Sequence, residues 1–140
     1  MATLISNLTD DRYTVYDSSN ARFQATGDIG LDGMLNLTIR TRLGDGTRST
    51  VVRGAEQFQK IVRHFVGRFR GLRGNWKYED NLAAFNQAIG NGMTLEQAAM
   101  HTWTGQQALI AGYPRVEFIE LAGQSGAYHT VKVNFLPRLK

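Results

Sequence analysis

Between Arg22 and Arg42 the chain changes chemical character at almost every residue, and this alternation limits the folds open to it more than any other feature. Phe23, Ala25, Ile29, Leu35, Leu37 and Ile39 share one parity, while Arg22, Gln24, Asn36, Thr38, Arg40 and Arg42 share the other. Successive side chains of a strand point to opposite faces, so the pattern predicts a hairpin with one buried face and one wet face. Gly30-Leu31-Asp32-Gly33 separates the two runs, and an Asp-Gly step is a strong turn signal. The predicted wet face carries three arginines. Arg12 to Tyr16 fits a short strand before the hairpin. Gly44-Asp45-Gly46 fits a turn after it, leading to the apolar Thr50-Val51-Val52. Residues 1–11 show no such order and are expected to be loosely held, within a single domain spanning 1–140.

The period then changes. Phe58, Ile61, Val62 and Phe65 recur at i, i+3, i+4 and i+7, which predicts a helix over 55–66 that Gly67 stops. Residues 69–74 read as a basic, glycine-punctuated loop. Three short helices are expected next. Asp80 can cap the first through Ile89, with Leu82, Phe85 and Ile89 inward and Gly90-Asn91-Gly92 ending it. Thr94-Leu95-Glu96-Gln97 is a capping box for the second, and Thr104-Gly105-Gln106-Gln107 has the same pattern for a third, closed by Gly112 and Pro114. Val116 to Phe118, a turn at Gly123-Gln124-Ser125-Gly126, and alternating Val131, Val133 and Phe135 predict a second hairpin. Strands, then helices, then strands argue an α+β fold. Its antiparallel sheet would come from the N-terminal strands and hairpin and from the C-terminal hairpin, with three to four short helices between them.

The chemistry is bounded first by what is missing. The chain has no cysteine, which removes disulfides, thiolate zinc sites, iron–sulfur clusters and a cysteine nucleophile. No phosphate-binding glycine loop, nucleophile elbow or paired-histidine helix motif occurs. His64, His101 and His129 are far apart, and none has a second histidine at i+3 or i+4. Glu117 and Glu120 have opposite parity, which on a regular strand sends them to opposite faces. No run approaches the roughly 20 apolar residues that span a bilayer, so no membrane partner is expected. Residues 1–11 carry acids and hydroxyls where a signal peptide would have a basic and then an apolar stretch.

Charge points more firmly. Ten Lys and Arg lie between Arg40 and Lys77 against two acids, Asp45 and Glu56, whereas residues 1–39 hold five acids and two arginines. Such a cationic segment suits RNA or another polyanion, although an acidic protein partner or a merely solvated face would also account for it. Cleavage of RNA needs a base, an acid and cations for the developing phosphorane charge, with no metal and no cofactor. Lys60, His64 and Arg68, at i, i+4 and i+8, would stack along one flank of the first helix if its last turn continued past Gly67, and are the candidate catalytic group. Arg70 and Arg73 of the basic loop, with Trp76, Lys77 and Tyr78 beside the next helix start, are candidates for gripping phosphate and stacking bases. Thr102 and Thr104 offer amides at a helix N-terminus. Each has a plainer alternative: a helix-edge histidine, a core tryptophan, a capping threonine.

The runs Arg53-Gly54-Ala55-Glu56-Gln57-Phe58, His64-Phe65, Gly74-Asn75-Trp76-Lys77-Tyr78-Glu79-Asp80-Asn81-Leu82, His101-Thr102-Trp103-Thr104-Gly105 and Gly126-Ala127-Tyr128-His129-Thr130-Val131-Lys132-Val133-Asn134-Phe135 carry a resemblance that spans residues 22–136. Together they resemble C-terminal effector domains of bacterial polymorphic toxins, the variable tips of Rhs and filamentous-haemagglutinin-type proteins. The resemblance implies a domain secreted through a larger carrier, acting in a target cell's cytoplasm, and held inactive by a cognate immunity protein. It leaves the activity open. Metal-independent RNA cleavage is the first expectation. NAD-dependent ADP-ribosyltransfer, drawing on Arg22, Ser49, Thr50 and Glu117 or Glu120, is the second, and a non-catalytic basic module is the third. A deaminase would need zinc-binding cysteines that the chain lacks.

Overall fold

The alternating segment forms the hairpin its parity predicts. In a computed structural model that describes residues 2–77 and 80–139, Asn20–Ile29 is β3, Met34–Arg40 is β4, and the turn between them holds Gly33 at φ 82°. Before them come β1, Leu4–Leu8, and β2, Arg12–Asp17. The four strands pair in chain order, each antiparallel to the next. Helix α1, Gly54–His64, packs on β3 and β4. Its stripe of Phe58, Ile61 and Val62, continued by Phe65, is buried, as are Tyr13, Val15, Phe23, Ala25 and Leu35 of the sheet. Residues 1–11, expected to be loosely held, instead include β1, all five of whose residues pair with β2.

One gap in the parity has a steric reason. Position 27 belongs to the buried face but carries glycine, and a Cβ built there would lie 2.5 Å from Cγ2 of Ile61. The helix therefore rests almost directly on the β3 backbone. Tyr13 is tied to the same helix by its hydroxyl, which donates to Oε1 of buried Gln57 at 2.6 Å.

The chain divides after Phe69 into two compact units. The second contains β5, Gly71–Trp76, then helices α2, Asp80–Gly90, α3, Leu95–His101, and α4, Trp103–Ala111, and finally β6, Arg115–Gln124, and β7, Ala127–Leu136. β7 lies between β5 and β6, antiparallel to both. Trp76, Phe85 and Phe135 meet at ring separations of 5.8 and 6.3 Å in its core. The expected basic loop over 69–74 is thus largely a strand. Leu72, Gly74 and Trp76 are its buried parity, but glycine at two of six positions hides the alternation. A Cβ at Gly74 would come within 2.9 Å of the Trp76 indole nitrogen, so the glycine makes room for that ring.

The capping box at Thr94 and Gln97 forms as expected, each side chain meeting the other's backbone N–H. The next cap falls two residues earlier than the pattern suggested. Thr102, not Thr104, accepts from the Gly105 N–H and opens α4. Gly112, left-handed at φ 97°, closes it. The class is α+β, with antiparallel strands at both ends of the chain and the described helices between them. No helix among the described residues is long and apolar enough to cross a membrane.

Adding a methyl group at position 27 gives a diagnostic sign. Glycine inside a strand ordinarily costs stability relative to alanine, yet here alanine must displace a buried isoleucine. Gly27→Ala should lower the urea-unfolding free energy by about 1–3 kcal/mol; a gain in stability would show that α1 does not approach β3 this closely.

Candidate nucleic-acid interface

The helix-flank residues have structural occupations. α1 ends at His64, so the chain turns away before Arg68 and the expected i+8 stack does not continue as helix. His64 Nε2 lies 2.7 Å from the carbonyl oxygen of Thr9 in the β1–β2 turn. A carbonyl only accepts, so that nitrogen carries the proton. The ring is held edge-on by Tyr13 at 5.6 Å and Phe65 at 4.7 Å. The Arg68 guanidinium donates to the carbonyls of Asp10 and His64 and sits 5.1 Å over the Phe65 ring. His64 and Arg68 therefore fasten the β1–β2 turn to the end of α1. Lys60 pairs with Glu56 one helical turn away, at 3.0 Å, on an exposed flank where such pairs contribute little.

In the second unit, Trp76 is 2% exposed and belongs to the core, so its ring presents no face to a base. Thr102 is fully buried. Its hydroxyl donates to the Ala99 carbonyl and accepts from Gly105, which exhausts it as a cap. Thr104 is engaged by Asn81, whose amide meets both its hydroxyl and its backbone N–H. Arg70 and Lys77 are exposed at the two ends of β5. Tyr78 lies outside the described residues. His101 lines a shallow depression with Met93, Gln97, Met100 and Gln106.

Arg73 enters a relay that sequence reading missed. Its Nε donates to Oδ1 of buried Asn134, whose Nδ2 donates to Glu117 at 2.9 Å. The three residues are direct neighbours in register across β5, β7 and β6. A bulge at Ile119 then resets the parity, so that Glu120 stands opposite Lys132 as Glu117 stands opposite Asn134. The two glutamates accordingly share a face, contrary to the expectation from their spacing. Cation and carboxylate are matched along this surface, an arrangement that stabilises a sheet and leaves little net field.

The first sheet differs. Opposite the face that α1 covers, registers place Ile5, Tyr16, Gln24 and Arg40 in one row, Asn7, Thr14, Thr26 and Thr38 in the next, and Arg12, Asp28 and Asn36 in a third. Beyond the first row the chain forms a small bridged loop in which Arg42 faces Arg48 directly. Arg40 and Arg42 share parity, and Arg22 precedes Gln24 on the strand opposite, its charge helping to hold the Asp45 carboxyl below the usual range after the Thr47 hydrogen bonds. Four arginines thus collect at one end of this sheet. Asp28, Asp32 and the Asp10–Asp11 turn lie at the other. The parity of Arg22, Gln24, Thr38 and Arg40 was legible in the sequence; the arginine facing Arg42 required the loop to close.

Ser49, a candidate of the ADP-ribosyltransfer expectation, is bound into the frame of this unit. Its hydroxyl donates to Asp17 at 2.8 Å and receives the Val51 and Val52 N–H groups. Among the described residues no three His, Asp or Glu are gathered to hold a metal ion. Compared with protein-family models, curated proteins and solved structures, the chain matches none of them.

Two structural ties can be checked. Arg68→Ala should speed amide hydrogen exchange at Thr9 to Arg12 and cost about 1 kcal/mol; unchanged exchange there would remove the clasp from the account. Asp17 accepts from the Ser19 hydroxyl and N–H and from Ser49, which together hold its carboxyl below the usual range. Its contribution is therefore complete above the unfolded pKa of about 4 and is lost as pH falls through the lower folded value. In thermal melts the gap between wild type and Asp17→Asn should narrow below about pH 4, and a constant gap would contradict this.

Proposed function

We propose that this chain binds single-stranded nucleic acid on the open face of the first unit's sheet. The observation that carries the reading is Arg42 standing directly opposite Arg48, beside Arg40 on the same parity. With Arg22, these make four arginines against Asp17 and Asp45 at one end of the face, and an excess of guanidinium groups on one surface seats phosphate. The adjacent row supplies the half-buried Tyr16, whose ring has no aromatic partner within the described residues, for stacking on a base. A flat strand surface with one aromatic and a cationic edge suits an unpaired strand better than a duplex groove.

Binding is the step this geometry supports. Bond cleavage needs a base beside the bound strand, and the first unit's histidine belongs to α1, which covers the opposite face of the sheet. In the setting that the toxin resemblance implies, capture of RNA would bring the delivered domain to its target.

Fluorescence anisotropy with labelled single strands tests the reading. Affinity should fall linearly on a log–log plot against salt, and Arg40→Ala and Arg42→Ala should each flatten that slope by about 0.7. Arg138→Ala in the second unit should leave it unchanged. Binding that ignores both first-unit substitutions, or that requires duplex, would overturn the proposal; affinity only for acidic proteins would replace it.

A further inference from the structure

Thr14, Thr26 and Thr38 stand directly opposite one another on β2, β3 and β4, and Asn7 of β1 stands opposite Thr14. The row crosses all four strands on the open face. Neighbouring strands are about 4.8 Å apart, and rows on one face are about 7 Å apart, so these hydroxyls form a line one row from Tyr16 and Arg40. Among the described residues, none of the three hydroxyls and no atom of the Asn7 side chain is used in a hydrogen bond. In the turns and loops of the unit, by contrast, hydroxyls are consumed internally: Ser19 and Ser49 by Asp17, and Thr9 by Arg12. Strand propensity explains β-branched residues here but not why three unspent hydroxyls align beside a cationic edge.

A hydroxyl is both donor and acceptor, and so is the ribose 2′-hydroxyl that distinguishes RNA from DNA. A strand with one phosphate on the arginines and that nucleotide's base on Tyr16 would carry the sugar of the following nucleotide over the next row. We infer that Thr14, Thr26 and Thr38, with Asn7, read the 2′-hydroxyl and make this face selective for RNA over DNA. The inference rests on the nucleic-acid reading above. A site that bonds a substrate hydroxyl loses those hydrogen bonds with the analogue that lacks it, a modest preference where the site is open to water.

The test compares single-stranded RNA, deoxyuridine-matched DNA of the same sequence, and 2′-O-methyl RNA, at fixed salt. Wild type should bind the RNA roughly tenfold more tightly than either of the others, the effect of one or two neutral hydrogen bonds. Combined Thr14→Val, Thr26→Val and Thr38→Val preserves shape and strand preference; it should bring RNA down to the level of DNA and leave DNA affinity unchanged. Equal wild-type affinity for all three probes overturns the selectivity while leaving nucleic-acid binding standing. Salt-dependent binding to none of them overturns the nucleic-acid reading itself. A variant that stays folded by circular dichroism yet loses RNA and DNA alike also overturns the inference, because the row would then serve the sheet and not the sugar. The wild-type comparison decides the matter even if the triple variant does not fold.

Discussion

The contact between Ile61 and the backbone at Gly27 governs the first unit. With α1 seated that close, one parity of β3 is committed to burial, and register carries the commitment to β2 and β4 on either side. A strand has only two faces, so every residue of the other parity must lie on the open one. A slip of one residue would bring Arg22, Gln24 and Arg40 under the helix, where unpaired charges are prohibitively costly. The open face is therefore a consequence of the buried one. Its polar rows take their order from the register that the core imposes.

Several residues that look like chemistry in one dimension are fasteners in three. His64 and Arg68 satisfy carbonyls of a tight turn that no neighbouring strand reaches. Asp17 and Ser49 join the end of β2 to the approach to α1, and Thr102 fills the sharp elbow between α3 and α4, where a Cβ at Gly105 would meet the Ala99 carbonyl at 2.2 Å. The common cause is the need of backbone groups at turns and helix ends for partners. Histidine, arginine, serine and threonine answer that need with the same atoms that serve catalysis, and only coordinates separate the two uses.

Much of the architecture was legible because it depends on short-range patterns. Parity located β3 and β4, a 3.6-residue stripe located α1, and the Thr94–Gln97 box located α3. What escaped was set by distant partners or by single irregularities. β5 was hidden by Gly71 and Gly74, which lack the side chains that alternation is read from. Glu120 changed faces because one extra residue, Ile119, is absorbed into a bulge. The start of α4 moved to Thr102 because glycine follows three residues on and lets the backbones meet. The interface itself was half visible. Its arginines were counted in the sequence, but the pairing of Arg42 with Arg48 and the alignment of three threonines exist only in register.

The strands of the two units also make different use of charge, and this separates the candidate surface from a merely solvated one. On the second unit, Glu120 stands opposite Lys132 in register, and Glu117 is linked to Arg73 through Asn134, so opposite signs alternate along the face. That is the arrangement expected when a face has only stability to serve. On the first, Arg12 faces Asp28 at one end in the same manner, whereas at the other end arginine faces arginine. Surface pairs of either sign are weak, within about 1 kcal/mol, so the repulsion is tolerable to the fold. Its direction still matters: four arginines against Asp17 and Asp45 leave an excess of positive charge at one end of the face, and such an excess attracts polyanions. The threonine row of Thr14, Thr26 and Thr38 lies one row from Arg40 on that same face.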